Sequence, residues 1–222
     1  MSVDATSLLR LEKTSLREQA LTALRKAITT GQLAPSTHLV ETELSEALQI
    51  SRGTLREAMR QLQQEGLITT GDRGRLSVRH LDAKEIRDIF HVRAALEALA
   101  AQKLCALPDR AGAVAVLRRC VEEMERWAAS NLEDRIEADL KFHRTMGQLT
   151  GNATLMHSWS SLEGSIRMSI MYAGVDRAIK NMDVKRHSEL VDAIETGDAD
   201  TAETAVHDHM TAAANVLVEG AA

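Results

Sequence analysis

Four residues in the C-terminal part of the chain have the types and spacing of a divalent-metal site. Asp139 and His143 stand four apart, so on a helix both point at one place. The apolar series Leu132, Ile136, Leu140 and Met146 puts that place on or beside a buried stripe. His187 extends the stripe of Leu190, Val191 and Ile194 backward, and His209 shares a face with Ala202, Ala205, Val206, Ala213, Val216 and Leu217. His207 does not, because its neighbours one turn away are Glu203 and Thr211. Burying an unpaired carboxylate costs on the order of several kcal/mol, and each imidazole needs a partner, so one cation would answer all four residues at once. Three imidazoles and a carboxylate suit Zn, Ni, Mn or Fe(II), with coordination positions left open if the geometry is octahedral. The structural alternative is a core in which each histidine finds its own hydrogen-bond partner.

Two further groups of residues could bind anions. Arg93 and Glu97 fall on the inward face defined by Ile86, Ile89, Phe90, Leu96, Ala100 and Leu104. Arg93 there either forks an effector carboxylate or pairs with Glu97 to brace the fold. Ser165, Ser169 and Tyr172 are candidates for lining the same cavity. Near the N-terminus, Arg52, Arg56 and Arg60 share one helix face opposite Leu55, Met59 and Leu62. An α-helix fits the DNA major groove, and a bidentate arginine reads guanine there. The bland reading of that row is a solvated helix face.

The elements that carry these residues follow from periodicity and punctuation. Leu16, Ala20, Leu21, Leu24 and Ile28 recur at helical spacing until Gly31 and Pro35. A short helix from about Val40 to Leu48 and another from Arg52 to about Glu65, with Ser51 as N-cap, are joined by Gln49-Ile50-Ser51. Beyond Gly66 the period changes to short β-prone segments, Leu67-Ile68-Thr69-Thr70 and Leu76-Ser77-Val78, around the basic tip Gly71-Asp72-Arg73-Gly74-Arg75. Two helices, a tight turn and a basic hairpin describe a winged helix-turn-helix over residues 1–80. Residues 81–222 show no period-two stretch, and six helices are expected at 83–106, 109–129, 132–149, 153–173, 175–196 and 199–218, forming an antiparallel bundle.

Composition agrees with a mainly α chain. Of 222 residues only five are aromatic and two are proline, which favours helix over sheet. The net charge of -5 is unevenly spread, with residues 1–80 slightly basic and the remainder acidic, so a nucleic-acid contact belongs to the first part. Cys105 and Cys120 form no CxxC and are expected as reduced packing residues. No run is long and apolar enough for a membrane helix, and no secretory signal opens the chain, so a cytoplasmic protein without membrane contact is expected.

At these residues the sequence resembles the GntR family of bacterial transcription regulators. The resemblance rests on Gly31-x-Leu33-x-Pro35, Leu39-x-Glu41, Leu44-x-x-Ala47-Leu48, Ser51-Arg52-x-x-Leu55-Arg56-Glu57-Ala58, Leu62-x-x-Glu65-Gly66-Leu67-Ile68, and Arg73-Gly74 with Val78. It implies that Ser51, Arg52, Thr54 and Arg56 contact operator bases and phosphates, and that Thr42, Arg73 and Gly74 approach the DNA backbone. Ser36 stands where the family usually has glycine, and Gly53 where it usually has a side chain. In the second part, Arg93-x-x-x-Glu97, Asp139-x-x-Phe142-His143, Gly151-Asn152-x-x-Leu155, the run from His187 to Asp198, and Ala205 with His209 resemble the FCD ligand-binding domain of the FadR-type branch. That resemblance implies a divalent metal held by Asp139, His143, His187 and His209, a small carboxylate effector at or beside it, and a homodimer on a palindromic operator, most simply as a repressor. A metal-dependent enzyme is the rival class. It lacks an evident general base, since Glu137 should face away from Asp139, and no HExxH or paired Glu-x-x-His is present. A regulator whose metal is purely structural is the other alternative.

Overall fold

A computed structural model describes residues 15–71 and 74–219. Its first helix, α1 (Leu16–Thr29), opens with a capping box in which Ser15 and Glu18 each bond the other's backbone N–H. Then come α2 (Glu41–Ala47) and α3 (Arg52–Gln64), the latter capped by Ser51, whose Oγ accepts from Thr54 N–H. Strands β1 (Ile68–Thr70) and β2 (Leu76–Val78) pair antiparallel, with Ile68 opposite Val78, and an isolated bridge ties His38 to Ser77. Leu21, Leu24, Ile28, Leu55, Met59, Leu62 and Leu67 close a small core beneath this winged helix-turn-helix. Leu16, expected in the buried stripe, is exposed because it is the first residue of the helix, before α1 reaches the core.

Among the described residues, two that are not glycine lie in the left-handed backbone region. Ser36 has φ +67°, and Gln49 in the turn between α2 and α3 has φ +52°. A side chain in this left-handed region crowds its own carbonyl, at a cost of roughly 1–2 kcal/mol. Ser36→Gly is therefore expected to stabilise the protein by about 0.5–1 kcal/mol once glycine's looser unfolded chain is set against the relief. Urea unfolding midpoints of the two proteins check this, and a destabilised variant would contradict it.

The second part is all-helical: α4 (Ala83–Cys105), α5 (Arg110–Trp127), α6 (Leu132–Leu149), α7 (Ala153–Tyr172), α8 (Val175–Asn181), α9 (Val184–Thr196) and α10 (Ala199–Val218). Each start is marked by a polar cap, such as Asp82 with Glu85, Asn131 and Asn152, except for α8, which follows Gly174. The helix expected over 175–196 is broken in two. Asp183 caps α9 by accepting from Arg186 N–H, while the Arg186 guanidinium donates to the Lys180 and Asn181 carbonyls that end α8. Local capping thus outweighs an uninterrupted helical pattern. The bundle core is filled by Phe90, Leu104, Leu117, Ile136, Leu140, Phe142, Trp159, Ile166, Val191 and Val206. No helix among the described residues is long and apolar enough to cross a membrane. Cys105 and Cys120 are both buried free thiols.

Candidate metal centre and nucleic-acid interface

Asp139, His143, His187 and His209 all turn inward, each at most 6% exposed. Helix α6 supplies the first two, α9 and α10 one each. One ring nitrogen from each of the three imidazoles lies within 4.8 Å of the other two. Asp139 joins the group through His187, its Oδ1 lying 3.1 Å from Nε2 of that ring.

Hydrogen bonds determine which nitrogens are free to ligate. His143 Nδ1 is 2.6 Å from Glu97 Oε2, and His187 Nδ1 is 2.7 Å from the Asp183 carbonyl. Both partners can only accept, so both Nδ1 atoms carry the proton and the neutral rings present Nε2 lone pairs. These two Nε2 atoms face one another at 3.1 Å, with Asp139 Oδ1 beside them. Acceptors aimed at acceptors repel unless a proton or a cation lies among them. Asp139 Oδ2 and His209 Nδ1 are buried without a hydrogen-bond partner among the described residues. Burial, reinforced by the nearby Arg93 guanidinium, pushes His143 down, and burial with His187 and His143 pushes His209 well down. Burial thus favours in His143 and His209 the neutral form that a metal requires. The donor set fits a divalent cation, and the His143–His187–His209 cluster could hold one.

Glu97 is the hub behind this cluster. Burial works to raise its pKa, but Arg93 and His143 outweigh that and lower it to about 2. Its Oε1 accepts from Arg93 Nε at 2.7 Å and from the Trp159 indole N–H at 2.9 Å, while Oε2 accepts from His143 Nδ1–H. Asp139 follows the same pattern: burial works to raise it, but its contacts with His187, His143 and Arg93 outweigh that and hold it low. The bracing Arg93–Glu97 pair thus exists, and Arg93 Nη2 is still buried without a hydrogen-bond partner among the described residues, which leaves a donor for an anion. Sequence reasoning missed Glu97 as the partner of His143 and missed Trp159 entirely. The available signal was that a buried indole N–H needs an acceptor. Ser165 and Tyr172, candidates for lining this cavity, instead meet Arg79 and the winged helix, the Tyr172 hydroxyl reaching the Ile28 and Leu33 carbonyls, while the Ser169 hydroxyl donates to the Ser165 carbonyl.

At the other end, Arg52, Arg56 and Arg60 stand exposed on α3. Arg56 pairs with Glu41 at 2.8 Å and Arg60 with Glu57 at 2.6 Å. Ser51 is exposed and Thr54 half-buried at the N-terminus of α3, with their hydroxyls 2.8 Å apart, and Thr42 is half-buried on α2. Gly74, at φ +73°, opens the return into β2 with nothing nearby that an added Cβ would meet, and Arg73 lies outside the described residues. Gly53 is exposed at the start of α3, and a side chain there would meet only the Ser51 hydroxyl at an ordinary distance.

Residues 16–78 match the model of the bacterial regulatory proteins, gntR family, and residues 88–212 match the FCD domain. The chain belongs to the GntR family, with an FCD domain. A GntR relative from Paenarthrobacter nicotinovorans, described as a "Probable D-xylose utilization operon transcriptional repressor", is 30% identical over 95% of this chain and 92% of its own. The HTH-type regulator YdhC of Bacillus subtilis is 30% identical over 70% of each chain. Among solved structures, a GntR transcriptional regulator from Rhodococcus sp. RHA1 superposes with a TM-score of 0.76 over 92% of this chain and 98% of that one, at 22% identity. Escherichia coli McbR/YncC gives 0.72 over 92% and 98%, at 17% identity. This GntR protein is a DNA-binding transcriptional regulator, and its relatives are regulators rather than enzymes.

Proposed function

We propose that the protein is a homodimeric repressor whose grip on a palindromic operator is controlled by a small carboxylate bound at or beside a divalent metal. Residues 1–80 read DNA, and residues 81–222 sense the effector and dimerise. The observation that carries the sensor reading is the cluster of mutually facing acceptors, the Nε2 atoms of His143 and His187 with Asp139 Oδ1, and His209 within reach. Asp139, His143, His187 and His209 would hold the metal, which when bound supplies a positive centre for anionic ligands.

Charge balance supports an acidic effector. The buried groups are Arg93 against Glu97 and Asp139, so they carry one negative charge in all. A dication reverses that sign, and a carboxylate restores neutrality. The spare Nη2 donor of Arg93 supports a role in binding such a carboxylate.

For DNA, Ser51, Arg52, Thr54 and Arg56 at the start of α3 would enter the major groove, with Thr42, Arg73 and Gly74 at the backbone. Arg52→Ala is expected to weaken operator binding by about 1–3 kcal/mol and to relax preference at one base pair, whereas loss of a mere phosphate contact would weaken all sequences alike. The test of the whole reading is selection of operator sites with the purified protein, followed by binding titrations with metal and a panel of small carboxylates. An acid that binds the metal-loaded protein and shifts operator affinity severalfold is the expected result. Operator affinity unchanged by every acid that binds would overturn effector control and leave a structural metal.

A further inference from the structure

Helix α7 touches the histidine cluster's support at one end and the DNA-reading unit at the other. Near its start, Trp159 is fully buried and donates to Glu97, the carboxylate that holds His143. From Gly164 onward, the same helix is seated on the winged helix. Gly164 lies so close to the turn after α3 that an added Cβ would stand 2.7 Å from the Glu65 carbonyl oxygen and 3.1 Å from Leu67 Cδ2. Ser165 Oγ accepts from Arg79 at 3.3 Å, and a Cβ on Gly66 would meet that hydroxyl at 2.8 Å. Met168 is buried within the core of the winged helix, and Tyr172 donates its hydroxyl at the end of α1, 2.5 Å from the Ile28 carbonyl and 3.1 Å from that of Leu33.

Beside this seat lies a cleft of about 960 Å³ between the two units, bordered by Thr22, Lys26 and Gln61 on one side and Glu137, His157 and Arg167 on the other. The winged helix thus rests on α7 from Gly164 to Tyr172, with the open cleft beside that seat. A helix that touches one site near its start and another along its second half is the kind of element through which one site can bias the other.

We infer that α7 couples the histidine cluster to the recognition helix, with Trp159 linking it to Glu97 and the Gly164–Tyr172 face setting how α3 is presented. This coupling rests on the metal reading given above. Binding at His143 shifts the carboxylate that holds it, Trp159 follows its acceptor, and the seat under the Glu65–Leu67 turn moves with the helix.

The test uses the full chain, stripped with chelator and then titrated with Zn²⁺ alone, with zinc binding followed by calorimetry and backbone amide exchange followed by mass spectrometry. In wild type, zinc is expected to change exchange about tenfold in residues 28–33 and 65–67. Gly164→Ala, which suits a helix but wedges the seat, and Tyr172→Phe, which removes one hydroxyl, should both bind zinc as wild type does. Their exchange response in those segments should fall below twofold. Zinc binding without any response in the wild-type segments, or full response in both variants, overturns the coupling while leaving the metal site standing. Absence of zinc binding by wild type overturns the metal reading and this coupling together.

Discussion

Zinc or nickel added to chelator-stripped protein is expected to raise its unfolding temperature, and His187→Ala is expected to abolish that rise. A ligand that binds only the folded state at a free concentration a thousandfold above its Kd stabilises by about 4 kcal/mol. For a chain of this size that corresponds to roughly 8–16 °C, at about 2–4 °C per kcal/mol. His187 is the sensitive position because its Nε2 faces both His143 Nε2 and Asp139 Oδ1, and the Asp183 carbonyl prevents the ring from offering the other nitrogen. The quantity to compare is the metal-dependent shift within each protein, so any cost of removing a buried ring cancels. His207→Ala, on the exposed face of α10, should keep the full shift. An undiminished shift in His187→Ala would falsify the ligand assignment.

Glu97→Gln should be the most damaging conservative substitution in the bundle. It leaves Arg93, 1% exposed, without its counter-charge and reverses the hydrogen-bond polarity offered to His143. Breaking a buried ion pair from one side costs about 3–5 kcal/mol, measurable as a lower urea midpoint. The acid limb identifies the cause. Glu97 has its pKa lowered from 4.5 to about 2, so its contribution is complete above 4.5 and is lost as pH falls from there toward 2. Wild type therefore weakens through that window, and the variant should weaken less. A separate loss begins near pH 6.5, where unfolded histidines take up protons that buried His143 and His209 resist. That earlier limb should survive in Glu97→Gln. Equal acid sensitivity of the two proteins between pH 4.5 and 2 would show that Glu97 is not the group responsible.

Most of the architecture was legible before any coordinates because it is governed by local rules. The cap Ser51, the change of period at Gly66 and the apolar spacing of α3, α6 and α10 are properties of neighbours within about two helical turns. The inward direction of Arg93, Asp139, His143, His187 and His209 followed from the same spacing, since a residue on a buried stripe is buried whatever its polarity. The break at Met182–Asp183 did not, because the helical pattern runs through it and only the side-chain caps from Asp183 and Arg186 decide against continuity.

What tertiary structure alone decided is who meets whom across long stretches of chain. Glu97 and His143 lie 46 residues apart, Trp159 and Glu97 62, and Tyr172 and Ile28 144. Helical periodicity says that a residue points inward but not which inward residue of another helix it will face, because that depends on crossing angles and axial offsets set by the packing of the whole core. For that reason Tyr172, a candidate for lining a cavity with Arg93, holds the winged helix instead. The sequence by itself determined a mainly helical regulator with a DNA-reading head and buried polar residues in its bundle. Tertiary packing decided that Glu97 holds His143 and that α7 meets this support through Trp159 and packs its second half against the winged helix.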